Sequence, residues 1–196
     1  AVTTEFENVP ADALAQLATT LPVSPAASAV AVAQDRAREK AHFVACGVPV
    51  APHAVIDTAE QLAAVNDNLL PGILKTSRMG YDGKGQITVQ SRDQLAAAWN
   101  DLGQVPCVLE KRMALAFEVS AIVARGHDGD VRSFPPAENI HRQGILHTST
   151  VPSPSLQQHP ALLERIQKAT SAIAQEMKYV GVLCVEYFVL TDGSIV

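Results

Sequence analysis

KTSRMGYDGKGQ, residues 75–86, carries the strongest structural signal in this 196-residue chain. Its glycines stand at positions 80, 83 and 85, and its cations are Lys75, Arg78 and Lys84, although the whole chain has a formal net charge of -5. Glycine is used where a backbone turns left-handed or approaches a ligand closely. Cations beside such a backbone indicate that the ligand is an anion.

The sequence on either side of the glycines predicts strands, GILKT at 72–76 and QITVQ at 86–90. A P-loop needs Lys and then Ser or Thr after its last glycine, where this chain has Gln86 and Ile87. A dinucleotide fingerprint reads G-x-G-x-x-G, and here that order is reversed. Both of those loops lead into a helix, whereas this one leads into a strand. Its phosphate donors must therefore be free backbone N–H groups and nearby cations.

A glycine loop between two strands is typical of a flap that closes over nucleotide phosphates. Lys75 ends the first strand, where we expect its ammonium group to meet a phosphate oxygen. The alternative is a glycine-rich hairpin turn with solvated cations, but a two-residue turn needs one glycine rather than three. Because Asp82 would repel phosphates, we expect Tyr81 and Asp82 to face the group that receives the activation.

Composition narrows the class of protein. Hydrophobic residues make up 47% of the chain and charged residues 18%, which predicts an ordered core. The sequence pI of about 5.6 argues against a general nucleic-acid binder, and no apolar run is long enough to span a membrane. The cysteines Cys46, Cys107 and Cys184 are scattered and odd in number, which predicts reduced core thiols in a cytosolic protein.

The order of predicted elements indicates an α+β or mixed α/β class. Ser24 is predicted to cap a first long helical region, which breaks near Gln34 and ends at Gly47. Ser91 is predicted to cap a helix over 92–102. The second half predicts mostly antiparallel strands, a helix near 160–178 and a last buried strand, VGVLCVEYFVL, at 180–190.

The second half also supplies candidate partners for a nucleotide. The backbone of the connector Glu110-Lys111-Arg112-Met113 could pair with a purine edge, and Glu118 is placed to reach ribose hydroxyls. Solvated surface charges are the alternative for both. Glu186 is a lone carboxylate in an apolar strand, so we expect a magnesium ion or, alternatively, a salt bridge to Lys or Arg. A polar group around His141 leaves open a metal site or a hydrogen-bonded core histidine.

Several segments together resemble the 5-(carboxyamino)imidazole ribonucleotide synthase family of ATP-grasp enzymes. The segments are LKTSRMGYDGKGQ, EVSAIVARGHDGDV, ENIHRQGILHTSTVPSP and YVGVLCVEYFVL, with TTEFENVP and QDRAREK before them. The resemblance covers essentially the whole chain. It implies an ATP-grasp fold, in which two α+β subdomains grip ATP, preceded by the tail of a Rossmann-like preATP-grasp domain. It also implies that this chain is a segment of a longer protein.

The resemblance implies four regions. Residues 1–24 would end the preATP-grasp domain, 25–46 would form connecting helices, 47–106 the small lid subdomain, and 107–196 a truncated large subdomain. A second metal-binding glutamate, which the family carries in an Asn-Glu pair, would lie beyond Val196.

The resemblance also implies a reaction of purine biosynthesis. ATP and bicarbonate would give carboxyphosphate, whose carboxyl group reaches the exocyclic amine of aminoimidazole ribonucleotide, with release of ADP and phosphate. The implied protein is a cytoplasmic, homodimeric ligase that uses Mg²⁺, or Mn²⁺, and binds neither nucleic acid nor membrane. Other candidates are a formate-using glycinamide ribonucleotide transformylase, a biotin carboxylase and a non-catalytic ATP-binding module.

The family's pattern assigns roles to residues. Arg36 and Lys75 would hold phosphates under the loop 80–86, and Glu186 would be the first magnesium ligand. The implied catalytic residues are Tyr81, Asp82 and Lys84. The implied nucleotide-binding residues are Arg36, Lys75, Gly80, Tyr81, Asp82, Gly83, Lys84, Gly85, Gln86, Glu110, Lys111, Arg112, Met113, Glu118 and His141.

Overall fold

The computed structural model describes residues 1–6, 8–80 and 84–196. Its N-terminal part is helical, with α1 (Ala11–Leu17), α2 (Ala27–Ala33) and α3 (Arg36–Ala45). The predicted break near Gln34 is confirmed, because the Asp35 side chain caps α3 by accepting hydrogen bonds from the N–H groups of Ala37 and Arg38.

The predicted helix cap at Ser24 is wrong. Helix α2 begins only after Ala26, without a side-chain cap. The backbone N–H of Ser24 donates instead to the carbonyl of Val2, next to a parallel bridge between Val2 and Val23. Ser24 is therefore bound by the N-terminal segment and lies before the start of the helix.

The first sheet is built from β1 (His53–Ile56), β2 (Gly72–Thr76), β3 (Gln86–Val89) and β4 (Cys107–Lys111). All pairs are antiparallel, in the order β1-β4-β2-β3. Helices α4 (Ala59–Ala63) and α5 (Arg92–Asp101) connect the strands, with a 3-10 turn at Asp67–Leu69. Ser91 caps α5 as predicted, by accepting a hydrogen bond from the N–H of Gln94.

One face of the first sheet is buried and the other faces a cleft. Leu74 and Leu109 point into an apolar core that also contains Trp99 of α5. Because side chains alternate along a strand, Lys75 and Glu110 point to the opposite face.

The second sheet is also antiparallel and has β5 at its centre. Its strands are β5 (Leu115–Arg125), β6 (Val131–Ser133), β7 (Ala137–Arg142), β8 (Ile145–Thr150) and β9 (Gly181–Leu190). Strand β9 pairs along one edge of β5, whereas β6 and β7 share the other edge and β8 follows β7. Helices α6 (Pro154–Gln157) and α7 (Pro160–Glu176) precede β9.

Helix α7 covers only one face of the second sheet. Ile166 and Ile173 pack against Val119, Val185 and Tyr187, so the helical spacing predicted near 160–178 is confirmed. The other face of β5 and β9 remains open and carries Glu118, Ser120 and Glu186 in adjacent rows. This face looks into the cleft, and it positions the site described below.

The predicted boundary between 106 and 107 is wrong for one strand. Strand β4 pairs with β1 and β2 and therefore belongs to the first sheet. The chain passes from the first sheet to the second after Lys111, through residues 112–114. The segment 48–52, which leads from α3 into β1, lies beside this passage, because the N–H of Lys111 donates to the carbonyl of Pro52 at 2.8 Å. Within the described ranges, the helices are too short or too polar to cross a bilayer.

Candidate functional site

A cleft of about 500 Å³ lies between α3, the first sheet and β9, a size in the usual range for small-molecule sites. Charged groups reach it from three sides. They are Arg36, Glu39 and Lys40 from α3, Lys75 and Glu110 from the first sheet, and Glu186 from β9.

Helix α3 presents one face to the cleft. Arg36, Glu39, Lys40 and Phe43 follow the spacing i, i+3, i+4 and i+7, which places them along one side of a helix. Phe43 packs against the core under the second sheet and anchors that face. The helix therefore holds two cations and one carboxylate at fixed positions above the first sheet.

Glu110 bridges two lysines in the cleft. Its Oε2 lies 2.7 Å from Lys75 Nζ, and its Oε1 lies 2.9 Å from Lys40 Nζ. Lys75 and Glu110 are diagonal neighbours on one sheet face, since Lys75 pairs with Val108 and Glu110 pairs with Ile73. The three charged side chains are only 10% to 14% exposed, so their charges are largely shielded from water.

The two lysines control the charge of Glu110. Burial alone would raise the pKa of the Glu110 carboxyl, but the ammonium groups of Lys75 and Lys40 outweigh burial and hold that pKa below its ordinary value. Glu110 is therefore a carboxylate at neutral pH. The two lysines and the glutamate together leave one uncompensated positive charge in the cleft.

Glu39 is in a different electrostatic position on the same helix face. Burial raises the pKa of its carboxyl above the ordinary value; Arg36 and Lys40 act against the rise, and the Glu110 carboxylate adds to it. Within the described part of the chain, no donor or cation lies at hydrogen-bond or ion-pair distance from this carboxylate. The charged form of Glu39 is therefore disfavoured in the cleft.

Arg36 ties α3 to the place where β2 becomes the glycine loop. Its backbone N–H donates to the carbonyl of Ser77 at 2.9 Å, and its Nε donates to the carbonyl of Thr76 at 3.2 Å. A Cβ atom added to Gly80 would lie 3.3 Å from Arg36 Nη2, so the loop passes close to the guanidinium group. This position is compatible with the phosphate-binding role expected for Arg36.

The described part of the glycine loop requires glycine at position 85. Gly85 has φ 71, and a Cβ atom there would lie 2.7 Å from Thr76 Oγ1. Lys84 and Gln86 are exposed, and Gln86 pairs with Lys75 at the start of β3. The predicted site residues Tyr81, Asp82 and Gly83 lie outside the described residues.

The connector after β4 offers fewer backbone donors than expected. The N–H of Lys111 donates to Pro52, and the N–H of Arg112 donates to the carbonyl of Pro71 at 2.9 Å. These two amides already have backbone partners, and the pairing of the backbone of 110–113 with a purine stays a prediction. The half-buried Met113 follows them at the turn into β5.

Glu118 and His141 lie together on the open face of the second sheet. His141 Nδ1 is 2.8 Å from Glu118 Oε2, an ion-pair distance without hydrogen-bond geometry, and both side chains are about a quarter exposed. They are neighbours because Glu118 pairs with Asn139, two residues before His141. In the described structure this pair stands beside the cleft and does not form its wall.

The polar group around His141 is divided between the two faces of the sheet. Glu138 accepts hydrogen bonds from Ser153 and Ser155 and fixes the start of α6. Asn139, on the open face, donates to Ser120 Oγ at 2.6 Å. The described residues hold no cluster of three or more His, Cys, Asp or Glu suited to a metal, so the metal alternative for this group finds no support.

The prediction that Glu186 is buried is wrong. Strand β9 is apolar in sequence, but α7 covers only one of its faces, the face that carries Val185 and Tyr187. Glu186 is exposed and faces the cleft, and no described Lys, Arg or His forms an ion pair with it. An accessible carboxylate across a cleft from cations suits Mg²⁺, which takes one or two carboxylates together with phosphate oxygens.

The same alternation exposes a cysteine. Cys184 stands on the open face and lines the cleft, so the prediction of core thiols is wrong for this residue. Cys107 is buried in the first core as predicted, and Cys46 is half-buried. All are free thiols.

Two charged residues of the cleft were missed by the sequence analysis. Glu39 and Lys40 follow Arg36 by three and four residues, in the segment QDRAREK. Because a phosphate ligand was expected at Arg36, helical spacing alone could have placed Lys40 on the same face. Its partner Glu110, however, is distant in sequence, and only the fold brings them together.

Comparison with known proteins agrees with this architecture. The ATP-grasp domain model matches residues 41–196, and the ribonucleotide synthetase preATP-grasp domain model matches residues 1–34. The chain belongs to the ATP-grasp family, and the predicted family resemblance and fold class are confirmed.

Among its relatives is the N5-carboxyaminoimidazole ribonucleotide synthase of Brucella melitensis biotype 1, 41% identical over 99% of this chain and 54% of the relative. The N5-carboxyaminoimidazole ribonucleotide synthetase structure from Thermus thermophilus superposes with a TM-score of 0.87 and 37% identity, over 98% of this chain and 51% of that one. An Aspergillus clavatus N5-carboxyaminoimidazole synthase was solved with ADP and 5-aminoimidazole ribonucleotide. It superposes with a TM-score of 0.85 and 28% identity, over 99% of this chain and 50% of that one. The chain thus spans about half the length of these relatives.

Proposed function

We propose that this chain forms the ATP-binding part of a ligase that carboxylates 5-aminoimidazole ribonucleotide in purine biosynthesis. The observation that carries the proposal is the cleft in which Arg36, Lys40 and Lys75 face the accessible carboxylate of Glu186. Cations opposite a carboxylate suit a nucleotide polyphosphate with its divalent metal. The choice of acceptor is supported by the Aspergillus clavatus relative, which was solved with ADP and 5-aminoimidazole ribonucleotide.

In the proposed reaction, a bicarbonate oxygen attacks the γ-phosphorus of ATP, and the bond to the ADP oxygen breaks. The product is carboxyphosphate. The exocyclic amine of the acceptor then attacks the carboxyl carbon, the carbon–oxygen bond to phosphate breaks, and the amine loses a proton. ADP, phosphate and the N-carboxylated nucleotide are the products, so a carbon–nitrogen bond is formed as ATP is cleaved.

The cationic side of the cleft is proposed to bind the phosphates. Lys75 and Arg36 flank the start of the glycine loop, and a charge-assisted hydrogen bond to phosphate contributes roughly 1.5–3 kcal/mol. The loop, including Gly80, Gly85 and Gln86, would close over them and exclude water, which strengthens these contacts. Tyr81, Asp82 and Lys84 are proposed to face the bicarbonate and the acceptor.

Glu186 is proposed to hold Mg²⁺ together with phosphate oxygens. When bound, the ion would neutralise the charge that develops on the transferring phosphoryl group. Glu118 and His141 are proposed to contact the ribose, because they stand next to the cleft on the same sheet face as Glu186. The purine would then meet the connector through Met113, since the N–H groups of Lys111 and Arg112 already have partners.

We also propose a cellular compartment and an oligomeric state for the protein. The free thiols Cys46, Cys107 and Cys184 suit a reducing compartment, so we propose a cytoplasmic enzyme. A homodimer is proposed from the family pattern.

The decisive experiment measures ADP release by the longest form of the protein that carries this chain. With Mg-ATP and bicarbonate, we expect release to depend on 5-aminoimidazole ribonucleotide. Release that is independent of this acceptor would contradict the assignment. Activity with formate and glycinamide ribonucleotide, or with biotin, would reassign the enzyme within the ATP-grasp family. Tight nucleotide binding without any phosphate release would indicate a non-catalytic module.

A further inference from the structure

Lys40 makes a contact that the proposed reaction does not explain. It donates to Oε1 of Glu110, whereas Lys75 donates to the other oxygen, Oε2. A single lysine would suffice to neutralise one carboxylate. The second lysine brings a surplus charge into a site whose side chains are 10% to 14% exposed.

The ion pair between Lys75 and Glu110 opposes the binding of a phosphate by Lys75. If Lys75 turns to a phosphate, it withdraws a counter-charge from Glu110, whose residue is 7% exposed. Breaking one side of a buried ion pair leaves an uncompensated charge and is strongly destabilising. A lysine that was paired only with Glu110 would therefore bind phosphate poorly.

We propose that Lys40 is a positioning residue for nucleotide binding, which holds the Glu110 carboxylate while Lys75 moves from Glu110 to a phosphate oxygen. The inference rests on the proposed nucleotide-binding function of the cleft. Because the two lysines use different oxygens of Glu110, loss of the Lys75 contact leaves the Lys40 contact intact. Lys40 stands one helical turn after Arg36, on a helix whose start is fixed by Asp35.

Other charged groups around the triad do not replace Lys40. Arg36 is directed to the carbonyl of Thr76, and Glu39 and Glu186 are acidic. Glu39 contributes repulsion to Glu110, since each carboxylate raises the free energy of the other. Among the described residues, Lys40 and Lys75 are the cations in ion-pair contact with Glu110.

A double-mutant cycle tests the proposal through the dissociation constant for Mg-ADP, measured by calorimetry on the longest form of the protein that carries this chain. Lys40→Met should weaken binding about tenfold, because Glu110 then holds Lys75 alone. Lys40→Met combined with Glu110→Gln should restore the affinity to within about threefold of wild type, since Lys75 is released. Lys40→Arg should bind like wild type.

Two outcomes would overturn the proposal. One is an unchanged affinity in Lys40→Met. The other is a double variant as weak as Lys40→Met or weaker, which is what a packing role for Lys40 predicts. Lys168→Met is the matched control, because Lys168 pairs with Glu164 on the exposed face of α7, and its affinity should equal that of wild type.

A titration decides the inference without nucleotide. In Lys75→Met, which mimics a departed Lys75, the pKa of the Glu110 carboxyl, followed by carbon-13 NMR, should stay below the ordinary value. Removal of both lysines should raise it above that value. A raised pKa in Lys75→Met itself would refute the role of Lys40. If the wild-type chain bound neither ATP nor ADP, the proposed function would fail, and this titration would still test the hold on Glu110.

Discussion

Thr170 and Tyr187 share a hydrogen bond of 3.0 Å in the core between α7 and β9. The Thr170 hydroxyl donates its proton to the carbonyl of Ile166 at 2.8 Å, so Tyr187 must be the donor in the shared bond. Both residues are at most 2% exposed. Burial raises the pKa of Tyr187 to about 12, against the opposing effect of Thr170. The open sheet face thus rests on a layer whose buried hydroxyl stays protonated.

Tyr187→Phe should lower the free energy of unfolding by about 1 kcal/mol at pH 7, the net value of one hydrogen bond. Because the folded-state pKa is raised, the wild-type stability from this group is fully present below about pH 10 and is lost as the pH rises toward 12. The variant should lose less stability over that range. Urea unfolding at pH 7, 10 and 11 measures both effects. Tyr179→Phe at pH 7 is the control for the hydrogen bond only, because burial also raises the pKa of Tyr179.

Glu39→Gln should raise the thermal midpoint by a few degrees at pH 7. The raised pKa of Glu39 means that its charged form is disfavoured in the folded state, so its contribution to stability is present at acid pH and lost as the pH rises through the folded pKa. The gain from the variant should therefore shrink as the pH falls through the folded-state pKa and should be absent below about pH 4, near the ordinary pKa of glutamate. Calorimetry against Glu176→Gln, an exposed glutamate on α7, provides the comparison. A variant that is less stable at pH 7 would contradict this interpretation.

Gly85→Ala should be more harmful than Gly103→Ala. Both glycines have positive φ, 71 and 78, so both substitutions strain the backbone by about 1 kcal/mol. Only at Gly85 does the new Cβ meet an atom, Thr76 Oγ1 at 2.7 Å, whereas Gly103 has open space. The prediction is a further loss of about 1 kcal/mol and weaker Mg-ADP binding for Gly85→Ala. Adding Thr76→Ala should recover part of the loss; equal effects at the two glycines would contradict the clash.

Lys75→Ala should weaken ATP binding at least tenfold, about 1.4 kcal/mol, because it removes a charge-assisted contact to phosphate. Calorimetry with Mg-ATP measures the change. Lys168→Ala, a lysine in an exposed ion pair, serves as the control. An unchanged affinity in Lys75→Ala would reject its placement at the phosphates.

Glu186→Gln should weaken Mg-ATP binding about tenfold, while binding of metal-free ATP stays the same or improves. The reason is that Glu186 is exposed and forms no ion pair with a described Lys, Arg or His, so its carboxylate can bind a metal. Titration of ATP with and without Mg²⁺ separates the two cases. An equal loss under both conditions would show that Glu186 acts without the metal.

The local signals in the sequence predicted much of the fold. The cap at Ser91 and the break before Asp35 depend on residues that are close in sequence, and both are present. The glycines also predicted a loop between two strands, and β2 and β3 flank it. Such features depend on short-range hydrogen bonds and backbone sterics, which a sequence carries directly.

Features that depend on distant partners were predicted less well. Glu186 was expected to be buried because its strand is apolar throughout, but α7 covers one face only. The boundary predicted before Cys107 separates β4 from its partners, because β4 pairs with the earlier strands β1 and β2 of the first sheet. The ion pairs of Glu110 with Lys40 and Lys75 join a helix and two strands that are distant in sequence, so no local sequence pattern predicts them.

The segment 48–52, which leads from α3 into β1, and the passage between the sheets at 112–114 lie side by side, joined where the N–H of Lys111 donates to the carbonyl of Pro52. Two adjacent connecting segments can act as a hinge, and Val50 and Ala51 of the first segment line the cleft. A rotation about this hinge would change the distance between Lys75 on the first sheet and Glu186 on β9. A modest change in backbone torsion at 112–114 would therefore widen or narrow the cleft between the two sheets.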